Sequence, residues 1–104
     1  MTVQELRHNL AAEISASIVI RSYDNTGSSH DTRRPTTPAE RSALRSIISG
    51  ALVAASMTTD SNQRRGIMDT AECIADQVLP GCNGYNTVFI PLADAIQHLD
   101  GLNR

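Results

Sequence analysis

Residues 37–57 read TPAERSALRSIISGALVAASM, and this stretch decides the fold predicted for the chain. It opens with Thr37, whose hydroxyl can cap a helix, followed by Pro38 at the first helical position and Glu40 two residues later. Three independent start signals therefore predict a helix that begins here and runs to about Met57. Its apolar face recurs at three- and four-residue spacing. That face comprises Leu44, Ile47, Ile48, Ala51, Leu52 and Ala55.

A second capping-box pattern, at Thr2 and Glu5, predicts an N-terminal helix. Apolar residues continue at helical steps, which predicts that this helix runs to about Arg21. The predicted stripe comprises Val3, Leu6, Leu10, Ile14 and Ile18. The segment 24–37 that follows is too polar to bury the apolar surface that ordering requires. It is predicted to be a mobile loop.

The second half of the chain predicts a third helix. Asp60 and Gln63 indicate another capping box, and Pro80 with Gly81 would end the helix. Because few residues separate this helix from the second, the two are expected to pack as an antiparallel hairpin. The apolar line predicted for the third helix comprises Ile67, Ala71, Ile74 and Val78.

The C-terminal region completes the predicted fold. Residues 85–90 have strand-like composition, although a helix there stays open. Pro91 can begin a short last helix that Gly101 would end. The predicted fold class is mainly all-α: one domain over residues 1–104, a small helical bundle built on the helix hairpin, with an N-terminal helix and a short C-terminal helix.

Composition and charge exclude several function classes. A net charge of −2 argues against a surface that neutralises nucleic-acid phosphates. A helix-turn-helix would place Arg64 and Arg65 at a recognition helix, but the second and third helices are too long for that motif. No secretory leader and no apolar run of about 20 residues is visible, so the chain is expected to be cytoplasmic, without membrane contact.

Candidate catalytic and metal-binding residues do not form a pattern. His8, His30 and His98 lie in separate segments, and none has a carboxylate or cysteine motif around it. Cys73 and Cys82 match no zinc-binding spacing and are expected to be reduced, incidental thiols. The sequence therefore predicts no enzyme activity, no metal and no cofactor.

The informative feature is a stretch without charge, residues 46–59, on the second helix. Surface helices normally carry charges on their outer face, so this face is either internal to the monomer or covered by a second subunit or a target protein. We favour a protein partner, since so few elements cannot surround a helix in so short a chain. The N-terminal helix has a milder second apolar side. The candidate interface residues are Ser46, Ser49, Gly50, Val53 and Met57, together with Ala12, Val19 and Tyr23.

By elimination, the sequence favours a non-enzymatic regulator that binds a protein. The hypothesis is a homodimer that sequesters a larger target, such as a bacterial transcription regulator, and thereby inhibits it. An alternative is a small-ligand or anion-binding protein with a site at a subunit interface, where His30, Arg33 and Arg34 would close over the anion. Helix-turn-helix DNA binding is a further, disfavoured alternative.

Overall fold

Helices make up most of the molecule in its computed structural model, which describes residues 1–102. The chain order is α1 (Val3–Ile14), β1 (Ser17–Tyr23), β2 (Ser29–Pro35), α2 (Pro38–Ser56), α3 (Ser61–Val78), a π-helical turn (Tyr85–Phe89) and α4 (Ile90–Leu102). The two strands form a small antiparallel sheet. The prediction of a mainly helical chain is therefore confirmed, and the prediction of an all-α fold is wrong. The last two residues of the predicted domain lie outside the described residues.

Helix α2 lies at the centre of the hydrophobic core. Its Leu44, Ile48 and Leu52 are fully buried, and Val88 and Leu92 from the C-terminal region belong to the same cluster. Helices α1, α3 and α4 all contact α2. The core face predicted for this helix is thus confirmed, and burial of its branched aliphatic side chains is the main favourable term in folding.

The start of α2 has the predicted capping box. The Thr37 hydroxyl accepts a hydrogen bond from the Glu40 backbone N–H at 3.2 Å, and Glu40 Oε1 accepts one from the Thr37 N–H at 2.8 Å. Arg34 adds a bidentate ion pair to the same carboxylate, with both N–O distances 2.8 Å. The Arg34 guanidinium and the Thr37 N–H lower the pKa of Glu40 to about 2. The helix ends at Ser56, one residue before the predicted end.

Helix α1 is shorter than predicted, because the chain leaves it after Ile14 and enters β1. The prediction that this helix runs to about Arg21 is wrong. Ile18 continues the helical spacing of the apolar stripe, but it begins a run of β-branched residues, Ile18–Val19–Ile20, which favours a strand. Ile18 and Val19 point to opposite faces of β1, and both are buried.

Strand β2 occupies half of the segment predicted to be a loop. It pairs with β1 in a register that places Ile20 opposite Thr32, so the prediction of a loop is wrong for Ser29–Pro35. The connecting turn is built around Asp24, whose Oδ1 accepts hydrogen bonds from the backbone N–H groups of Thr26 and Ser28. Every residue of β2 is exposed, and hence the strand has no apolar pattern to reveal it.

The other edge of β1 is bonded to the chain after α3. The Val19 N–H donates to the Thr87 hydroxyl at 3.0 Å, and the Val19 carbonyl accepts from the Asn83 N–H at 2.8 Å. The Arg21 N–H donates to the Gly81 carbonyl at 3.2 Å. Residues 85–89, which have strand-like composition, form the π-helical turn instead, and this turn places the buried Thr87 against β1.

Two predictions for the C-terminal helices differ from the structure: the residues that α3 buries and the position at which α4 ends. Helix α3 buries Ala71 and Ala75, whereas Ile74 and Val78 of the predicted core line are exposed. Helix α4 continues through Gly101, which was expected to end it. Among the helices of residues 1–102, none is long and apolar enough to cross a lipid bilayer.

We expect Thr87→Val to lower the free energy of unfolding by about 1–3 kcal/mol, because it leaves the buried Val19 N–H without an acceptor in a side chain of similar shape. Thr87→Ser keeps the hydroxyl and serves as the control, so it should cost less. Urea denaturation followed by circular dichroism measures both. Equal stability of Thr87→Val and the wild type would show that this hydrogen bond does not hold the hairpin.

We expect the ion pair of Glu40 to make stability depend on pH. The folded chain lowers the pKa of Glu40 from 4.5 to about 2, so the stabilisation is fully present above the ordinary pKa and is lost as the pH falls toward the folded value. Glu40→Gln should therefore be less stable than the wild type at neutral pH, and the gap should narrow with acidification through this range. Thermal melts of both proteins along a pH series measure the gap; a gap independent of pH would contradict the assignment.

Candidate protein-binding groove

The strip predicted on α2 lies at the surface. Ser46, Gly50, Val53 and Met57 are exposed, and Ser49 is half-buried. Val53, on α2, is 42 % exposed, and Met57, which caps the C-terminus of α2, is 79 % exposed. Both are exposed although α2 is the central helix of the core. The rest of the described chain therefore leaves one side of α2 uncovered.

A groove of about 830 Å³ runs between α2 and α3 beside this strip. Its walls come from both helices and from the first residue pair of their connection. The lining residues are Ser46, Ile47, Gly50, Ala51, Ala54, Met57, Thr58, Gln63, Gly66, Ile67, Thr70, Ala71 and Ile74. None of these side chains is charged, so the groove offers apolar and neutral polar contacts only.

Small residues at helical spacing open the groove. Gly50 and Ala54 lie four residues apart on α2, and Gly66 and Thr70 lie four residues apart on α3, so each pair shares one face of its helix. A Cβ atom added at Gly50 or Gly66 would meet no atom within 4 Å. Packing inside the monomer therefore does not require glycine at either position, and both leave space that another backbone can approach.

Of the predicted interface residues, Ser46, Gly50 and Met57 line this groove, whereas Ser49, Val53 and the three residues outside α2 do not. Ala12 is half-buried on α1, and Tyr23 is 70 % exposed at the end of β1. Val19 is only 5 % exposed, and its backbone is bonded to Asn83 and Thr87. Placing Val19 on an outer side of a long first helix was wrong, because that part of the chain is a strand whose side chain here packs inward. The groove therefore brings together only Ser46, Gly50 and Met57 of the predicted interface.

The charged residues of α3 lie outside the groove. Arg65, Asp69 and Asp76 are exposed, Glu72 is half-buried, and none of them lines it. Partial burial and the neighbouring Asp76 and Asp69 raise the pKa of Glu72. Asp76 accepts a hydrogen bond from the Gly84 N–H at 3.0 Å, so it faces the chain that precedes the π-helical turn, and the groove between α2 and α3 is left without charge.

The histidine and the two arginines considered for an anion site are spread over different faces of the hairpin. His30 Nε2 lies 2.9 Å from Asp24 Oδ2, and Arg33 donates to the Ser17 hydroxyl at 2.8 Å. Arg34 binds the cap of α2. Because side chains alternate along a strand, Arg33 lies on the opposite face of β2 from His30 and Arg34.

Helix α3 also carries the pair of arginines considered for DNA binding. Arg64 Nη2 lies 3.0 Å from Asp100 Oδ1, and its Nε donates to the Thr58 carbonyl, so this guanidinium joins α3 to α4 and to the α2–α3 connection. Arg65 is exposed. Arg64 and Asp100 line a smaller cavity of about 390 Å³ that also includes Arg7.

The remaining titratable groups of residues 1–102 lie apart from one another. Within residues 1–102, no group of three or more His, Cys, Asp and Glu side chains is arranged to hold a metal ion. Cys73 is exposed and Cys82 is half-buried, and both are free thiols. Burial raises the pKa of the Cys82 thiol, whose sulfur lies 3.3 Å from the Thr87 hydroxyl.

The α3 wall of the groove is the part that sequence reasoning missed. Ile74 was assigned to the core of α3, but it is 41 % exposed and lines the groove. The spacing of Gly66, Thr70 and Ile74, each four residues from the next, marks one uncharged face of α3 and is visible in the sequence.

We expect Gly50→Ala and Gly66→Ala each to raise the free energy of unfolding by up to about 1 kcal/mol, because alanine favours helix and its methyl group meets open space here. Gly84→Ala is the contrasting control: its Cβ would lie 2.9 Å from Asp76 Cγ, so this change should destabilise. Thermal melts of the three variants measure the effect. A loss of stability at Gly50 and Gly66 would mean that the groove is filled in solution.

The geometry and chemistry of the described residues carry the functional argument. Comparison of the chain with family models, with curated protein sequences and with solved structures finds no significant match. The shape of the groove, its lack of charge and the exposure of its walls define what it can bind.

Proposed function

We propose that this chain is a non-enzymatic binding protein that holds an amphipathic helix of a larger target protein in the α2–α3 groove. The observation that carries the proposal is the groove itself, which is open, lined by uncharged residues and includes the exposed side chains of Met57 and Ile74. Apolar side chains left exposed beside a concave surface are typical of a protein-binding site.

The dimensions of the groove support a helix as its occupant. Ser46 and Met57 are eleven residues apart on α2, so they mark a length of roughly 16 Å, or about three helical turns. The small residues Gly50, Ala54 and Gly66 allow a third helix to approach closely, as ridges-into-grooves packing requires. The occupant would rest against α2 and α3 together.

The lack of charge in the groove defines the chemistry of the bound face. A charged side chain buried there would find no opposite charge among the lining residues, and its desolvation would oppose binding. The target helix is therefore expected to present apolar residues at three- and four-residue spacing and to keep its charges on the outward side. Met57, which is flexible and polarisable, can adapt to such a face.

The proposal includes the scaffold and the regulatory role expected from the sequence. An antiparallel α2–α3 hairpin accounts for a groove in which Met57 and Gln63 flank the connection, while Ser46 and Ile74 are farthest from it along the chain. Sequestration of a cytoplasmic target, such as a bacterial transcription regulator, is the class of function that this kind of surface suits. That role is inferred by elimination.

The test introduces charge into the groove and compares it with the same change elsewhere. Gly50→Arg and Met57→Glu should abolish binding of the target, because each places a charge among the residues that line the groove, while circular dichroism stays helical. Gly101→Arg is the matched control, since Gly101 also lies on a helix with open space around it. If both groove variants unfold, α2 is buried on that side and the proposal fails.

Photo-crosslinking identifies the target protein and also shows that it binds in the groove, which affinity capture alone does not show. A photoreactive methionine analogue at Met57, in the cells that produce the protein, should yield a crosslinked protein whose attachment point maps to one face of a helix. The same analogue at Leu102, which is also exposed, should not give that product. The assigned groove would be contradicted if the crosslinked product still forms in the Gly50→Arg variant, or if it forms in equal yield from the analogue at Met57 and at Leu102.

A further inference from the structure

The outer edge of strand β2 carries backbone groups that no described residue satisfies. The backbone N–H of Val19 and of Arg21 donates away from β2, to Thr87 and Gly81. In the observed register these residues lie opposite Arg33 and Asp31, so the backbone groups of Arg33 and Asp31 point away from β1 as well. Asp31 and Arg33, together with Ser29, therefore line a free hydrogen-bonding edge.

This edge is the one open edge of the sheet within residues 1–102. The other edge, on β1, is bonded to residues 81–87, whereas every residue of β2 is exposed. Charged side chains usually protect such an edge against indiscriminate pairing. Here Asp31 and Arg33 carry opposite charges on the same face of the strand, so they select among possible pairings rather than oppose them all.

We propose that β2 pairs in antiparallel fashion with β2 of a second copy of this chain, placing Asp31 of each copy opposite Arg33 of the other. Thr32 then lies opposite Thr32 on the two-fold axis. Directly opposite residues of opposite charge stabilise an antiparallel pair, and a threonine pair does the same on the other face. Within its own copy the Asp31 carboxylate already pairs with Arg21 at 3.2 Å and accepts hydrogen bonds from the side chains of Asn83 and Asn86, so in the dimer it is shared between Arg21 and Arg33 of the partner subunit. The two hairpins would form one continuous four-stranded sheet.

The charges and the backbone together specify this register. The outward backbone groups belong to alternate residues of β2. A shift of one strand along the other therefore preserves the hydrogen bonds between the two copies only if it is a shift of two residues. Of the neighbouring registers, one places Asp31 opposite Asp31 and the other places Arg33 opposite Arg33. Both bring like charges together, which destabilises a sheet. The proposed register is the one of the three that pairs opposite charges on both sides of its axis.

The chemistry of the edge also limits the assembly. Pairing uses the free edge of both copies, so an isologous contact closes at a dimer instead of growing into a filament. A contact made by one strand from each copy is smaller than a standard stable interface, and the dimer is therefore weak. None of the residues of this edge lines the α2–α3 groove, so this inference is independent of the proposed function.

The experiment reverses the charges one at a time and then together in a mixture. Asp31→Arg alone places arginine opposite Arg33, and Arg33→Asp alone places aspartate opposite Asp31, so each variant should associate about tenfold more weakly or not at all. An equimolar mixture of the two should associate again, because every opposed pair then has opposite charges. Sedimentation equilibrium, from about 10 µM to about 1 mM, measures association. Arg65→Asp and Asp69→Arg, on exposed positions of α3, are the matched controls for net charge.

Amide hydrogen exchange of the wild type provides a second measurement that needs no variant. The N–H groups of Asp31 and Arg33 should become protected as the protein concentration rises, whereas those of Thr32 and Arg34, already bonded to β1, should not change. A wild type that stays monomeric over the whole range overturns the proposal. A dimer that persists in both charge-reversal variants also overturns the proposal. A dimer that Gly50→Arg dissociates does the same, because self-association would then occur in the α2–α3 groove.

Discussion

The two hydrogen bonds at Val19 connect the halves of this molecule. Its N–H donates to the buried Thr87 hydroxyl and its carbonyl accepts from the Asn83 N–H, so a strand from the N-terminal half is fixed to the turn that precedes α4. A two-stranded hairpin is marginally stable alone, and this contact joins it to a helical core. It also closes one edge of the sheet, and thereby leaves the edge of β2 as the free one.

Local signals explain which elements could be predicted. The cap of α2 brings together Thr37, Pro38 and Glu40, and both its start and its core face were predicted correctly because cap and periodicity agree. The end of α1 was predicted wrongly, since Ile18 lies four residues after Ile14 and so continues the helical period into a strand. Strand β2 lacks apolar residues altogether, and its pairing depends on the turn at Asp24 and on contacts distant in sequence.

The α2 wall of the candidate groove could be predicted from the sequence, whereas the α3 wall depends on how the helices pack. The uncharged stretch of α2 is visible as missing charge, and the structure leaves most of its strip exposed. On α3 both Ala71 and Ile74 were expected inside; Ala71 is buried together with Ala75, whereas the larger Ile74 is exposed. Small side chains let two helices approach closely, so the alanine face packs inward and the isoleucine is displaced to the groove. Hydrophobicity alone would predict that the Ile74 face of α3 is buried in preference to the alanine face.

The two proposed surfaces select their partners by different physics, and this lets them act together. The groove lacks charge, so recognition there depends on shape and apolar burial; the β2 edge has little apolar surface, so recognition there depends on register and the order of its charges. A dimer formed through β2 would carry two grooves related by a two-fold axis. A target with the same symmetry could then occupy both, and the second binding event would be intramolecular. A weak dimer and a modest groove would in that case hold a symmetric target more tightly than either contact alone.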